Sequence, residues 1–369
     1  HLFEHLMFQG SGNVGDDLHF KLLESSGASL VNGTTDFDRT NYFETLPANE
    51  LELALWLESD RMGFLIESLD QKKLDNQRDV VKNERRQSIE NVPYGPSGEK
   101  LYQLLFPPEH PYYGYIIGSM DDLSAATLED VHAFYKRYYA PANATLVIAG
   151  DFNPDQAKKW VDQYFGTLTR RDAPAVHPIA TPPITQERRA TVEEPVALEQ
   201  VTLAWLSPTA YSDGDATCDM MSAVLGHGRS SYLYKKLVYE LQVAQSVSAS
   251  QQSHSLSSIF SITATARPGV KAATLEKHIE EVLAQLQQQG PTQRDLDRAR
   301  NQLLTGFVSA LQRLGGFGGK ADLLNHYNQY VGRPNFLRDD LARYQSVTTD
   351  AIQNMAKKLL QKKSQSISC

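Results

Sequence analysis

The sequence is poor in cysteine. Only Cys218 and Cys369 occur in 369 residues, which excludes a disulfide framework and any zinc site built on thiolates, and leaves the redox compartment open. Basic charge is also scarce. Lys and Arg number 36 against 44 Asp and Glu, for a net charge of −8, and a nucleic-acid binder would need a concentrated basic face against that balance. The basic clusters are short: Lys82 with Arg85 and Arg86, Arg170-Arg171, and Lys357, Lys358, Lys362 and Lys363. They read as solvated helix faces or linker, so no nucleic-acid partner is expected. No apolar run approaches the roughly 20 residues that cross a bilayer, and no membrane span is expected. The 23 glycines and 17 prolines are near average usage, which sets aside collagen-like and broadly disordered chains.

What is present is enough for about two domains. The two halves repeat. Thr127–Tyr139 and Thr348–Leu360 are amphipathic segments opened by a Thr N-cap, at an offset of 221 residues that maps Val131 onto Ile352 and Lys136-Arg137 onto Lys357-Lys358. The first is followed by Ala144–Ala149, a buried-strand pattern, and then Gly150-Asp151. Shifted by the same offset, that strand would start at 365, and the sequence given stops at 369. The second half opens with a strand, Gln200–Leu206, before a helix near 213–226, and its counterpart would precede residue 1. The expected fold is α+β: two tandem, structurally similar α/β-sandwich units, each a mixed or antiparallel sheet covered by helices. The first unit is expected to lack its first strands and the second its last, as in a piece of a longer protein. No targeting segment is then to be looked for here. Five prolines between 170 and 197 mark an extended linker, which divides the chain into domains at 1–172 and 196–369, joined by 173–195.

Between these landmarks, Asp16–Ser26 reads as a helix closed by Gly27. Ala28–Asn32 and Thr40–Leu46 read as a hairpin turning at Thr34–Asp38. Glu50–Ser68 and Asp70–Asn91 read as helices, as do Ser230–Leu241, Leu275–Gln289 and Arg294–Arg313, while Ala244–Ala266 holds two strands.

The chemistry is concentrated at the start. In His1-Leu2-Phe3-Glu4-His5, a helix places residues 1 and 5 one turn apart on one face, where two imidazoles can hold one Zn²⁺. Glu4 shares that face and can reach a water beside the metal without being a ligand. The order is the inverse of the His-Glu-x-x-His arrangement. A catalytic zinc takes a third protein ligand. Leu74, Gln77, Val81, Glu84 and Ser88 are spaced 3, 4, 3, 4 and form one stripe. Leu74 and Val81 turn that stripe inward, where an acid is costly unless paired or metal-bound. Glu84 is therefore the leading candidate, with an ordinary ion pair as its alternative; Glu58, Glu67 and Glu90 are rivals of more exposed phase.

His1-x-x-Glu4-His5, followed at a distance by Arg78-Asp-Val-Val-Lys-Asn-Glu84-Arg-Arg-Gln, resembles the insulinase/pitrilysin family of zinc peptidases, M16, in its bacterial branch related to mitochondrial processing peptidase. The resemblance runs on through Gly27-Ala28, Asn32, Thr40-Asn41-Tyr42, Tyr138-Tyr139-Ala-Pro-Ala-Asn143 and Ala149-Gly150-Asp151. It continues more weakly through the second half. It implies His1, His5 and Glu84 as zinc ligands, Glu4 as general base and a zinc endopeptidase activity on peptides or unfolded segments. It also implies a periplasmic location. The family often places a second Glu seven residues before the third ligand; here that position is Gln77, which can orient by hydrogen bonds.

The family's second unit usually presents an Arg and, seven residues later, a Tyr that hold the substrate carbonyl. Here Val238 and Gln245 occupy those places, and residues 219–226 carry no His. The chain thus resembles half of a clam-shell, which implies a second M16-like half, on the same full-length chain or a partner, as supplier of the Arg/Tyr pair. The alternative is an inert structural or substrate-presenting subunit. Ala28–Asn32 resembles the family's substrate-pairing edge strand. Asn32, Gly33 and Thr34 are the candidate peptide-binding residues, with a plain hairpin asparagine as the other reading of Asn32. Because His1 is the first residue given, its turn is expected to fray and to hold zinc weakly.

Gly315-Gly-Phe-Gly-Gly-Lys320 fails as a phosphate loop, since Leu314 and Ala321 stand where Gly and Ser/Thr are required; it reads as a flexible connection between helices, with a hinge or substrate contact as alternatives. Tyr112, Tyr113 and Tyr115 read as packing or loop anchors, and His110, His132 and His227 as structural histidines.

Overall fold

The computed structural model describes residues 1–175, 179–362 and 365–368; part of the expected linker and Cys369 lie outside them. In chain order the elements begin with α1 (Leu2–Leu6), α2 (Leu18–Ser25), β1 (Leu30–Thr35), β2 (Thr40–Thr45), α3 (Leu51–Ser68) and α4 (Gln71–Arg85). They continue with α5 (Gly95–Leu105), α6 (Met120–Ala125), α7 (Leu128–Tyr138), α8 (Pro154–Tyr164), β3 (Arg188–Ala190), β4 (Gln200–Ser207) and α9 (Asp215–Gly226). The remainder are β5 (Ala244–Gln252), β6 (Ser258–Ala266), α10 (Ala272–Gln289), α11 (Gln293–Ala310), α12 (Lys320–Val331), α13 (Leu337–Gln345), α14 (Thr349–Leu359) and β7 (Gln365–Ser368). Contacts gather the chain into two compact units: His1–Arg86 with Ile116–Pro178 and Ala310–Pro334, and Gln87–Tyr115 with Ile179–Ser309 and Asn335–Cys369.

The repeat read from the sequence is visible in how its helices start. The Thr127 hydroxyl accepts from the Asp130 N–H at 3.2 Å, and Thr348 accepts from Ala351 at 3.1 Å; each satisfies a backbone donor that the first turn leaves open. In the second unit a mixed five-stranded sheet has the order β3-β7-β4-β6-β5, with β3 and β7 parallel and the other pairs antiparallel. Trp205 and Leu203 of β4, Phe260 and Ile262 of β6, and Met221 and Leu225 of α9 lie in one buried core with Leu275 and Ile279 of α10 and Ile352 of α14.

In the first unit the ladder is the hairpin β1–β2, in register from Leu30–Thr45 to Thr35–Thr40. This corrects the expected hairpin. β1 starts later and runs through Thr34, because the chain reverses at 36–39, where the Asp36 carboxylate accepts from the N–H groups of Asp38 and Arg39 at 2.8 and 2.9 Å. Thr34 and Thr35 therefore lie within the strand and not in the turn, and Asn32 lies inside β1 rather than at its end. Ala144–Ala149 is also corrected. Among the described residues no strand ladders with it, and Ala144, Thr145 and Leu146 are exposed. Its apolar content resembles a buried strand, but a strand also needs a neighbour for its backbone groups. Helix 70–91 is α-helical only to Arg85 and continues as a π-turn over Arg86–Glu90, and Tyr234–Glu240 is likewise a π-turn.

The glycine-rich connection from α11 to α12 packs onto the outer face of the hairpin. A Cβ on Gly315 would stand 2.6 Å from Thr45 Oγ1, and one on Gly316, whose φ is +71°, 2.7 Å from Leu30 Cδ2. Phe317 meets Phe43 edge to face at 4.9 Å, and Asn41 Nδ2 donates to Asp322 at 3.0 Å. These glycines are needed for close approach, and the loop is a packed element.

Candidate metal centre

α1 is only five residues long, too short to be stable on its own. It is held by packing: Phe3, Leu6 and Met7 are buried with Leu65 of α3, Leu69 just after it, Leu74 of α4, and Val131 and Tyr135 of α7, at about 1.5–3 kcal/mol for each large side chain removed from water. Burying that side turns His1, Glu4 and His5 toward the hairpin and α4. On α4 the stripe falls as its spacing requires: Leu74 and Val81 are fully buried and Gln77 is buried between them. Glu84, the next position, emerges opposite α1 and remains partly exposed.

His1 Nε2 lies 3.6 Å from Glu84 Oε1 and His5 Nε2 lies 3.2 Å from Glu84 Oε2. The three donor atoms lie within 4.8 Å of one another, and among the described residues no other trio of His, Cys, Asp or Glu converges in this way. Tetrahedral bonds of about 2.0–2.1 Å would separate neighbouring donors by about 3.3 Å, which both contacts to Glu84 approach. Two imidazoles and one carboxylate are also a zinc-type donor set. The residues fit the metal. Glu58, a rival third ligand by sequence, is tied instead to Arg61, whose Nε donates to it at 3.0 Å.

Glu4 is buried, 8% exposed. Its Oε2 accepts from the Thr35 hydroxyl at 2.5 Å. Gly33 lies against the same carboxylate: a Cβ there would meet Glu4 Oε1 at 3.0 Å and Cγ at 3.1 Å. Asn32 Oδ1 accepts from the Gly33 N–H at 2.8 Å, and among the described residues β1 has a strand partner, β2, on one edge only. The Thr34 side chain is on the other face. It bonds Asn41 and accepts from Arg39 at 2.6 Å, so it is not brought to Glu4.

Behind Gly33 is a buried polar layer that sequence reasoning missed. Tyr42 and Tyr139 share a hydrogen bond at 2.6 Å between their hydroxyls, and the Arg61 guanidinium lies 4.3 Å over the Tyr42 ring. Burial holds the Tyr42 phenol well above its usual range and pushes Tyr139 up to about 12, so both are neutral hydroxyls at neutral pH. Burial likewise raises Glu44, beside the Glu58 carboxylate. His19, buried near Arg61, is lowered to about 3 and is neutral. Thr35 and Tyr42 were legible in principle: a period of two from Gly33 reaches Thr35, and the hairpin register pairs Gly33 with Tyr42.

In the second unit Val238 packs against the apolar core and Gln245 lies in β5. The helix α9 carries no histidine.

Residues 1–94 match the family model described as insulinase, peptidase family M16, and residues 125–303 match the one described as peptidase M16 inactive domain. Zinc protease PqqE of Helicobacter pylori is 30% identical over 315 residues, covering 85% of this chain and 70% of the relative. The crystal structure of a protease from Helicobacter pylori superposes with a TM-score of 0.92 at 27% identity, over all of this chain and 88% of that one. The first half of the periplasmic protease PqqL from Escherichia coli shares the fold, with a TM-score of 0.78 at 17% identity over all of this chain and 81% of that one. The chain belongs to peptidase family M16, the insulinase family of zinc proteases.

Proposed function

We propose that this chain is the metal-bearing half of a zinc endopeptidase that cleaves peptides or unfolded segments. The observation that carries the reading is the convergence of His1, His5 and Glu84 one helical turn from a buried carboxylate, Glu4. His1, His5 and Glu84 would hold zinc, and Gln77 would support them from within α4. Zinc, when bound, supplies Lewis acidity for the scissile carbonyl and lowers the pKa of water toward about 7. Glu4 takes the proton of the attacking water and passes it to the leaving amine. The free edge of β1 pairs with the peptide main chain, with little demand on its sequence. For that, Asn32 exchanges its bond to the Gly33 N–H for one to the peptide.

Val238 and Gln245 offer neither charge nor phenol for an oxyanion. In this reading a second M16-like half, in the same full-length chain or a partner, completes the site. A periplasmic location goes with the bacterial branch that the sequence resembles. The same two residues favour the second reading, a substrate-presenting chain without activity of its own. Zinc content and peptide cleavage of the full-length protein, wild type against Glu4→Gln, separate the two. Stoichiometric zinc in both, with cleavage only in the wild type, supports the peptidase; zinc with no cleavage in either sinks it.

A further inference from the structure

Hydroxyls line up behind the general base. Tyr42 and Tyr139 are 2.6 Å apart at their oxygens, Thr40 and Thr35 are 3.1 Å apart, and Thr35 donates to Glu4 Oε2 at 2.5 Å. Each hydroxyl has one proton to donate. Thr35 donates its proton to the Glu4 carboxylate. With its own proton directed at Glu4, the Thr35 oxygen accepts from Thr40, so Thr40 to Thr35 to Glu4 runs in one sense, with every proton used once.

We propose that Thr35 is the positioning residue of Glu4: its hydroxyl, ordered by Thr40, fixes the carboxylate that stands next to His5 on α1. Among the described residues no second donor reaches this carboxylate. A buried carboxylate with one donor turns when that donor is lost. β1 carries the donor, and the same strand offers its free edge to a peptide, so seating the peptide and aiming the base depend on one strand. Thr35 shares the Gly33 face of β1, opposite Thr34. The proposal rests on Glu4 acting as the general base.

Thr35→Val keeps the shape and removes the hydroxyl; Thr35→Ser restores it. In the full-length protein we expect Thr35→Val to lower kcat about ten- to a hundredfold, with KM within about twofold, zinc stoichiometry unchanged, and most of the activity returned in Thr35→Ser. Crystal structures of the wild type and Thr35→Val are expected to show the Glu4 carboxylate displaced only in the variant. Wild-type kcat in Thr35→Val, or equal loss in Thr35→Ser, overturns the proposal. If the wild type itself cleaves nothing, the function proposed above fails, and the crystallographic comparison still decides this point: an unmoved Glu4 in Thr35→Val overturns it.

Discussion

Gly33 and Glu4 are in contact, with no room between them for a side chain: a Cβ on Gly33 would stand 3.0 Å from Glu4 Oε1 and 3.2 Å from the Tyr42 ring. Tyr42 is pinned by Arg61 and Tyr139, so the carboxylate is the group that gives way. Gly33→Ala is therefore expected to lower kcat roughly tenfold or more through misplacement of the base. Its stability should barely change, because an Ala strand is the less entropic one in the unfolded chain and this offsets the crowding. Steady-state kinetics beside a thermal melt check it. A variant with full activity would mean that Glu4 is not aimed from β1.

Much of the site was legible because it depends on local periods. The spacing of His1 and His5 and the stripe of Leu74, Gln77, Val81 and Glu84 require only a helix, and the fold buries Leu74, Gln77 and Val81 as that stripe requires. The cap residues Thr127 and Thr348 carry the repeat for the same reason. What was not legible depends on distant partners. Thr34 and Thr35 look alike in sequence, and only the strand's phase against Gly33 sends one to Arg39 and the other to Glu4. The Tyr42–Tyr139 bond spans 97 residues, and the Phe43–Phe317 contact turns an apparently flexible glycine run into a packed loop. Leu146–Ile148 has the composition of a strand, but composition does not name a ladder partner.

The zinc reading makes a graded prediction along α4. Glu84→Gln keeps the shape and removes the charge of a ligand, so zinc affinity should fall by more than about a hundredfold, beyond what loss of an outer partner costs. Gln77→Leu, two turns earlier on the buried face, should weaken zinc by about tenfold if it supports a ligand. Competition titrations against a chromogenic chelator measure both. Equal affinities for Glu84→Gln and the wild type would remove Glu84 from the ligand set.

The second unit contains an acid that titrates near neutrality. Asp219 of α9 is half-buried and pushed up to about 7, chiefly by desolvation, and the Tyr344 hydroxyl donates to it at 2.7 Å. Asp215 and Asp340 raise it further and Arg343, which pairs with both of them, lowers it. The folded state thus prefers Asp219 protonated. Below about pH 4 both states carry the proton and nothing is lost. As pH rises from about 4 to 7 the folded state loses stability, on the order of a few kcal/mol in total. Asp219→Asn still accepts from Tyr344 and never ionises. Its melting temperature is expected to fall less between pH 5 and 8 than that of the wild type, and parallel curves would show that Asp219 is ionised throughout.

Arg61 is the cation that makes the layer behind the hairpin tolerable. It is 2% exposed, its Nε donates to Glu58 at 3.0 Å, and its guanidinium lies over the rings of Tyr42 and Phe8 at 4.3 and 5.0 Å. Removing one partner of a buried pair leaves the other charge uncompensated, which costs about 3–5 kcal/mol. Arg61→Met fills the same space without the charge and leaves Glu58 alone beside Glu44, whose carboxyl burial already holds above the usual range. The melting temperature should drop by roughly 10 °C. Glu58→Gln added to Arg61→Met removes the stranded charge and should recover more than half of that loss, because a neutral pair of similar volume is tolerated where a lone ion is not. Calorimetry on the two variants decides it: an unrecovered double variant would mean that Arg61 stabilises the layer by stacking on Tyr42 and Phe8, and not by neutralising Glu58.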